Sequence, residues 1–324
     1  MGFSVKGDNM QLGMIGLGKM GGNMALRLLK GGHEVVAYDR SEAAVNNVVK
    51  GGGVGASSVK DLVKKLKGPK TVWVMLPAGE ITDNTINEVA ELLDKGDCVI
   101  DGGNSKFTDD IRRSKELAPK GLDYMDVGTS GGIWGLKRGY SLMIGGPKKT
   151  FDRLEPIFKC LGPAGRKGNL GYEGERDIPD GYALFGPAGS GHFVKMVHNG
   201  IEYAIMQAYA EGFDIMKAFP HAKLDLVKIA HTWRNGSVVA SWLLDLSANA
   251  LETDFDGIEP FVTESGEGKW TVECALQWGV PASCIAESVL TRFVSQGKSK
   301  FGLQFLNALR NQFGGHEIVR SKKK

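Results

Sequence analysis

No stretch of this chain approaches the ~18 uninterrupted apolar residues that a membrane span requires, so no transmembrane anchor is expected. The N-terminal stretch MGFSVKGDNMQLGMIGLG lacks the apolar core and small-residue cleavage site of an export signal. It opens on Met-Gly, but Lys6 stands where a myristoylation signal places Ser or Thr. Cysteine is scarce. Cys98, Cys160, Cys274 and Cys284 form no CxxC pair, which excludes a disulfide scaffold and makes free thiols in a reducing cytoplasm the expectation. An excess of one charge is also missing: 40 basic against 37 acidic residues leave +3, giving no general attraction to nucleic acid or to a membrane surface. The terminal RSKKK reads as a solvated end. Six scattered histidines include no HxxxH or HExxH, so no metal centre is expected.

What the chain does have is length and a change of pattern. Its 324 residues suffice for two domains, each with its own core. Over residues 1–189, short β-branched or apolar runs at 12–18, 33–40, 70–77, 97–105, 122–128 and 140–146 alternate with stretches of helical periodicity. That alternation predicts an α/β domain, a Rossmann-type doubly wound parallel sheet with helices on both faces. Over 190–324 the pattern becomes helical, beginning with a long run at 193–219, and predicts an all-α C-terminal domain. The Gly-, Pro- and charge-rich segment 162–181 reads as a surface loop near the junction.

The first strand ends in Gly16-x-Gly18-x-x-Gly21. The first glycine permits a tight turn, the second lets a pyrophosphate approach the backbone, and the third lets the helix pack on the sheet with its positive end toward the phosphates. Alone this pattern is weak. Here it lies between strand and helix, and Asp39 follows Gly21 at close to the ~20-residue interval of a ribose-binding carboxylate. Gly16, Leu17, Gly18, Met20, Gly21, Asp39 and Arg40, with Leu76 and Asn104 at later strand ends, are the candidate cofactor contacts. A carboxylate accepts from a 2′-hydroxyl and repels a 2′-phosphate, which favours NAD. Arg40 beside it would stack on adenine or accept a phosphate, so NADP stays open.

The stretch GHFVKMVHNGIEY places Lys195, His198, Asn199 and Glu202 within an arc of roughly 100° on a helix. Such a stripe is often only a solvated face. Two features oppose that reading: the helix is too apolar to lie far from a core, and the Gly-rich GPAGSG before it leaves room beside its start. Asn104 in DGGNSK and Ser130, Gly131 and Gly132 in TSGGIWG sit at strand ends where an open α/β sheet binds ligands, although loop punctuation accounts for them as well.

DGGNS, SGG…GYSLMIGG, GSGHFVKMVHNGIEY, GKWT and LRNQFGGH together resemble the 6-phosphogluconate dehydrogenases, and most closely their short, NAD-preferring branch, from residue 11 to about 318. The resemblance implies oxidation of the C3 hydroxyl of 6-phosphogluconate by hydride transfer to nicotinamide, loss of CO2, and protonation of the enediol to ribulose 5-phosphate, in gluconate utilisation or the pentose phosphate pathway. By motif, Lys195 takes the hydroxyl proton and then polarises the ketone, and Glu202 protonates C1 of the enediol. Asn199, His198, Asn104 and Ser130–Gly132 position the substrate, while Tyr203 and Arg292 reach its phosphate. Arg310 and His316 match a C-terminal pair that enters a partner subunit's site, implying a homodimer or larger homo-oligomer with composite sites. The domain at 190–324 then binds substrate and dimerises. A β-keto acid loses CO2 readily once its carbonyl is hydrogen-bonded to a cation, so no metal is required. Lys195 must be neutral for part of the cycle, which desolvation favours, whereas Glu202 serves as an acid only if burial raises its pKa.

One departure stands out. Where long-chain members place a phosphate-binding Lys and Thr before GKWT, this chain has Ser265 and Glu267 in ESGEGKWT. A carboxylate near a phosphate repels it, so either the loop runs differently or the substrate differs. The rival reading is therefore a β-hydroxyacid dehydrogenase acting on an unphosphorylated sugar acid or a small 3-hydroxy acid without decarboxylation. A non-catalytic dinucleotide sensor is a third, opposed by the intact Lys195, Asn199 and Glu202 set.

Overall fold

The computed structural model describes residues 9–163, 181–314 and 317–320. The N-terminal stretch up to residue 8, most of the expected loop at 162–181, His316 and the last four residues of RSKKK lie outside them. The chain divides into two compact units, Met1–Met196 and Val197–Lys324.

The first unit alternates as its pattern predicts: β1 (Gln11–Ile15), α1 (Lys19–Lys30), β2 (Glu34–Tyr38), α2 (Glu42–Lys50), β3 (Val54–Gly55), α3 (Val59–Lys65), β4 (Thr71–Val74), α4 (Glu80–Ala90), β5 (Cys98–Asp101), α5 (Phe107–Leu117), β6 (Asp123–Ser130), α6 (Gly135–Arg138), β7 (Ser141–Gly145), α7 (Lys148–Leu161) and β8 (Tyr182–Gly186). They build one eight-stranded sheet in the order β3-β2-β1-β4-β5-β6-β7-β8. The strands are buried on both faces because helices cover both. Trp73 packs with Leu12, Met14, Met24, Ile100 and Phe158 on one side, while its neighbours Val72 and Val74 join Ile15, Val36, Leu62 and Val99 on the other. Helix starts follow side-chain caps: Ser41 Oγ accepts from Ala44 N, and Ser58 Oγ from Asp61 N.

Two strands escape the sequence pattern. β3 has only two residues, and β8 follows directly on the loop segment. The expectation of a wholly parallel sheet also needs correction, since β6 and β7 pair antiparallel. Their connection, residues 131–140, is too short for the dozen or more residues of a parallel crossover.

Helix α8 (Ser190–Lys217) starts in the first unit and continues into the second, where α9 (Leu226–Trp233), α10 (Trp242–Leu251), α11 (Glu267–Trp278), α12 (Ser283–Ser295) and α13 (Lys300–Gly314) follow. Among the described residues from Val197 onward there is no strand. Asp225 and Ser241 cap α9 and α10, which is why the apolar pattern from residue 237 becomes helix only at Trp242. The described cysteines, Cys98, Cys160, Cys274 and Cys284, are all free thiols.

Candidate active site

At the end of β1, Gly16 takes φ +89°, and a Cβ there would lie 2.4 Å from the Met75 carbonyl oxygen. A Cβ on Gly21 would lie 2.0 Å from the Gly16 carbonyl oxygen, so both positions exclude a side chain. Gly18 differs: a Cβ there would meet nothing within 4 Å. It stands at the N-terminus of α1, which no side chain caps. Open space above unbonded, outward-pointing N–H groups is what a diphosphate needs, so the residues present fit a dinucleotide.

Asp39 does more than the spacing argument suggested. Its Oδ2 accepts from Leu17 N at 2.7 Å and its Oδ1 from Ser41 N at 2.8 Å. The carboxylate therefore holds the glycine turn itself and keeps lone pairs for ribose hydroxyls. Leu76 borders Gly16, and Met20 packs on the core beneath α1. Arg40 and Asn104 are exposed.

Lys195 lies on the first turns of α8 and is only 7% exposed. Gly128 of β6 passes directly beneath it, where an added Cβ would come within 2.3 Å of the Lys195 Cβ. Gly191 is similarly wedged: its Cβ would lie 2.4 Å from the Met143 carbonyl oxygen. Asp126 of β6 caps the helix, its two oxygens accepting from Gly189 N and His192 N at 2.7 Å each.

Below this turn lies a buried network that the sequence reading missed. His192 Nδ1 meets Asp110 Oδ2 at 2.8 Å, and Tyr124 donates to Asp110 Oδ1 at 2.7 Å. Arg113 Nη1 donates to Asp101 Oδ2 at 2.6 Å. Asp101 also accepts from Ser105 Oγ and Gly103 N, shaping the loop that carries Asn104. The signals were the Asp of DGGNS, the Asp of MDVG and the His of GSGHF, none of which is needed for a strand or helix pattern. Asp101, Asp110 and His192 offer ligand atoms within 4.8 Å of one another, the geometry of a metal site. Arg113 stands among them, 2.6 Å from Asp101 and 3.7 Å from Asp110, so a guanidinium already supplies positive charge there.

Burial disfavours the His192 charge, yet Asp110, and behind it Asp101 and Asp126, outweigh that and lift its pKa to about 9. Burial lifts Asp126 to about 6. Because the folded His192 value exceeds the ordinary 6.5, its stabilisation is complete below pH 6.5 and is lost as pH rises through about 9. Thermal melts from pH 6.5 to 9.5 are expected to lose on the order of 1–3 kcal/mol in the native protein and clearly less in His192→Gln. Equal slopes for both would mean that His192 is neutral when folded.

In the second unit α8 carries His198, Asn199, Glu202 and Tyr203. Asn199 Nδ2 donates to Glu267 Oε1 at 3.1 Å, and His198 Nδ1 meets Asn199 Oδ1 at 3.0 Å. Tyr203 OH and Ser265 Oγ are 2.9 Å apart, and Ser265 Oγ donates to Glu267 Oε2 at 2.6 Å. Two glycines seat α8 against α11: a Cβ on Gly268 would lie 2.7 Å from the Tyr203 ring, and one on Gly200 2.9 Å from Thr271. The HNG and GKWT sequences are two sides of one contact.

Three expectations change here. Glu267 is 3% exposed and turned onto Asn199 and Ser265, so the ESGEG loop does run differently from a carboxylate aimed at a phosphate. An arginine such as Arg292 is ordinarily solvated on a helix; this one is 6% exposed and stacks 3.6 Å over the Tyr203 ring. It donates to the Ser288 carbonyl, while its buried Nε has no hydrogen-bond partner. Glu202 was expected to be buried, but 38% of its side chain is open in the single chain, with Ile201, Ile205 and Met206 exposed beside it. Ser130 and Gly131 are half-buried, Gly132 is exposed, and Arg310 is exposed on α13.

Residues 11–171 match the family model described as the NAD binding domain of 6-phosphogluconate dehydrogenase, and residues 191–324 match its C-terminal domain. A Haloferax volcanii protein described as 6-phosphogluconate dehydrogenase, NAD(+)-dependent, decarboxylating is 43% identical over 96% of this chain and 99% of its own length. The Saccharomyces cerevisiae 6-phosphogluconate dehydrogenase, decarboxylating 1, is 37% identical over 89% of this chain, which spans 59% of the yeast protein. The solved Plasmodium falciparum 6-phosphogluconate dehydrogenase superposes with a TM-score of 0.79 at 30% identity, covering 97% of this chain and 67% of that one. The glycine turn, the lysine helix and the GKWT contact thus have a common origin: the chain belongs to the 6-phosphogluconate dehydrogenase family.

Proposed function

We propose that the protein oxidises and decarboxylates 6-phosphogluconate to ribulose 5-phosphate and CO2, with NAD preferred over NADP. The observation that carries the phosphate is Arg292: a buried guanidinium with an unbonded Nε and no carboxylate partner among the described residues. A desolvated cation without a counter-charge is unfavourable unless an anion completes it, and a planar fork suits a phosphate dianion. An unphosphorylated acid would leave it unpaired, which weighs against the rival reading.

The nicotinamide, when bound, accepts the C3 hydride. The Lys195 amine, 7% exposed, takes the C3 hydroxyl proton. The resulting ammonium hydrogen-bonds the ketone, the bond between C2 and the carboxylate carbon breaks to release CO2, and its electron pair enters the enediol, whose oxygen takes the proton back. Glu202, 38% open in the single chain, then protonates carbon once a partner subunit covers it. Asn199, His198, Asn104 and Ser130–Gly132 hold substrate oxygens, and Asp39 holds the adenosine ribose. No metal enters this scheme.

We assign the chain to the short, NAD-preferring branch because it is 43% identical to the Haloferax protein described as NAD(+)-dependent, against 37% to the yeast one. A homodimer is part of the proposal. Phe301, Leu303, Phe305, Leu306 and Leu309 are all exposed on α13, more apolar area than a monomer keeps in water. Arg310 on the same helix and His316 would then complete the partner's phosphate site.

Steady-state rates with NAD and NADP, on 6-phosphogluconate and gluconate side by side with CO2 trapping, test the proposal. One CO2 per NADH from 6-phosphogluconate, a higher kcat/KM with NAD and little turnover of gluconate are expected. NADH formation without CO2, or equal use of gluconate, would overturn it.

A further inference from the structure

Glu267 stands where the sequence departs from its long-chain relatives, and nothing in the proposed chemistry uses it. Its neighbours form one continuous hydrogen-bonded chain whose directions can be worked out from a single fact: an ionised carboxylate only accepts. The side chain is buried, and both of its oxygens are engaged.

Oε1 must receive an N–H, so the Asn199 amide turns its nitrogen toward Glu267 and its carbonyl oxygen away. That oxygen meets His198 Nδ1 at 3.0 Å and can only accept, so Nδ1 carries the proton, with the Glu202 carboxylate 3.8 Å from the same nitrogen. On the other arm, the single Ser265 hydroxyl proton goes to Oε2. Ser265 Oγ therefore accepts from Tyr203, which becomes the donor at 2.9 Å. The donor and acceptor faces of Asn199, His198, Ser265 and Tyr203 are thus tied to one carboxylate.

We propose that Glu267 is a positioning residue that fixes the hydrogen-bond polarity of this cluster, holding His198 in its Nδ1–H tautomer and orienting the Asn199 amide. The kinetic half of the proposal rests on the assignment of His198 and Asn199 to the substrate; the tautomer half does not. With the Ser265 and Tyr203 protons directed inward, Arg292 is the group in this cluster that faces a phosphate as a donor.

A glutamine at 267 has the same shape but offers an acceptor on one arm and a donor on the other, so either Asn199 or Ser265 must reverse. The test is 15N NMR of the ligand-free full-length protein above the imidazole titration, with His198 assigned by the loss of its signals in His198→Gln. The native protein is expected to show the Nδ1–H tautomer. Glu267→Gln is expected to shift the population toward Nε2–H and to lower kcat on 6-phosphogluconate by roughly 10–100-fold, the usual cost of losing a supporting hydrogen bond. Ser265→Ala, which leaves the Asn199 arm intact, is expected to keep the native tautomer. An Nε2–H tautomer in the native protein overturns the proposal without any variant. So does Glu267→Gln with an unchanged tautomer, or with unchanged kcat. A native tautomer as expected together with no turnover of 6-phosphogluconate would overturn the substrate reading instead.

Discussion

Lys195→Met is expected to lower turnover of 6-phosphogluconate by at least about 10³-fold while leaving the protein folded and able to bind dinucleotide. Two effects are lost together: a positioned base contributes ~10²–10⁴-fold, and a cation at the developing enediolate ~10²–10³-fold, without full additivity. A loss of 10³ corresponds to about 4 kcal/mol of transition-state stabilisation. A thioether of similar length fills the space of a side chain that is only 7% exposed, so the packing around it is kept. The measurement is single-turnover NADH formation and CO2 release beside a thermal melt and a dinucleotide titration. A variant that keeps more than a tenth of native turnover would remove Lys195 from the chemistry.

The second large effect is expected at Arg292. Arg292→Ala removes the buried guanidinium, and a charge-assisted hydrogen bond to phosphate is worth about 1.5–3 kcal/mol, so KM for 6-phosphogluconate should rise ~10–100-fold with a smaller change in kcat. The weak activity on gluconate should hardly move. Truncation also leaves a gap over the Tyr203 ring, so Arg292→Lys separates the effects: it keeps the charge but loses the planar stack and the fork. An intermediate KM is expected there. If alanine raised KM equally for phosphorylated and unphosphorylated substrates, Arg292 would be a packing residue only.

Much of this was legible in the sequence for identifiable reasons. The glycine turn and Asp39 could be read because a phosphate site built on a helix start leaves residue types at fixed spacing. The lysine stripe could be read because helical geometry carries four residues to one side without any tertiary knowledge. The Asp101–Arg113–Asp110–His192 network could not: its members come from one strand end and two helices, and nothing local joins an Asp to a His far along the chain. The same holds for Glu267. A carboxylate beside a presumed phosphate loop reads as repulsion until the fold shows that it is turned onto Asn199. The exposure of Glu202 and of Ile201, Ile205 and Met206 beside it was not legible either, because periodicity is silent about which faces of a long helix neighbouring elements cover.

The strand beneath the lysine carries a further lesson for anyone mutating this protein. Gly128 offers no polar atom of its own to a sugar acid, yet a single extra methyl group there would occupy the space of the first carbon of the Lys195 side chain. The amine would be displaced and the α8 start levered off the sheet edge. A loss-of-function screen would then score position 128 as if it were part of the reaction, and an engineer widening substrate scope would do best to leave that hydrogen atom where it is.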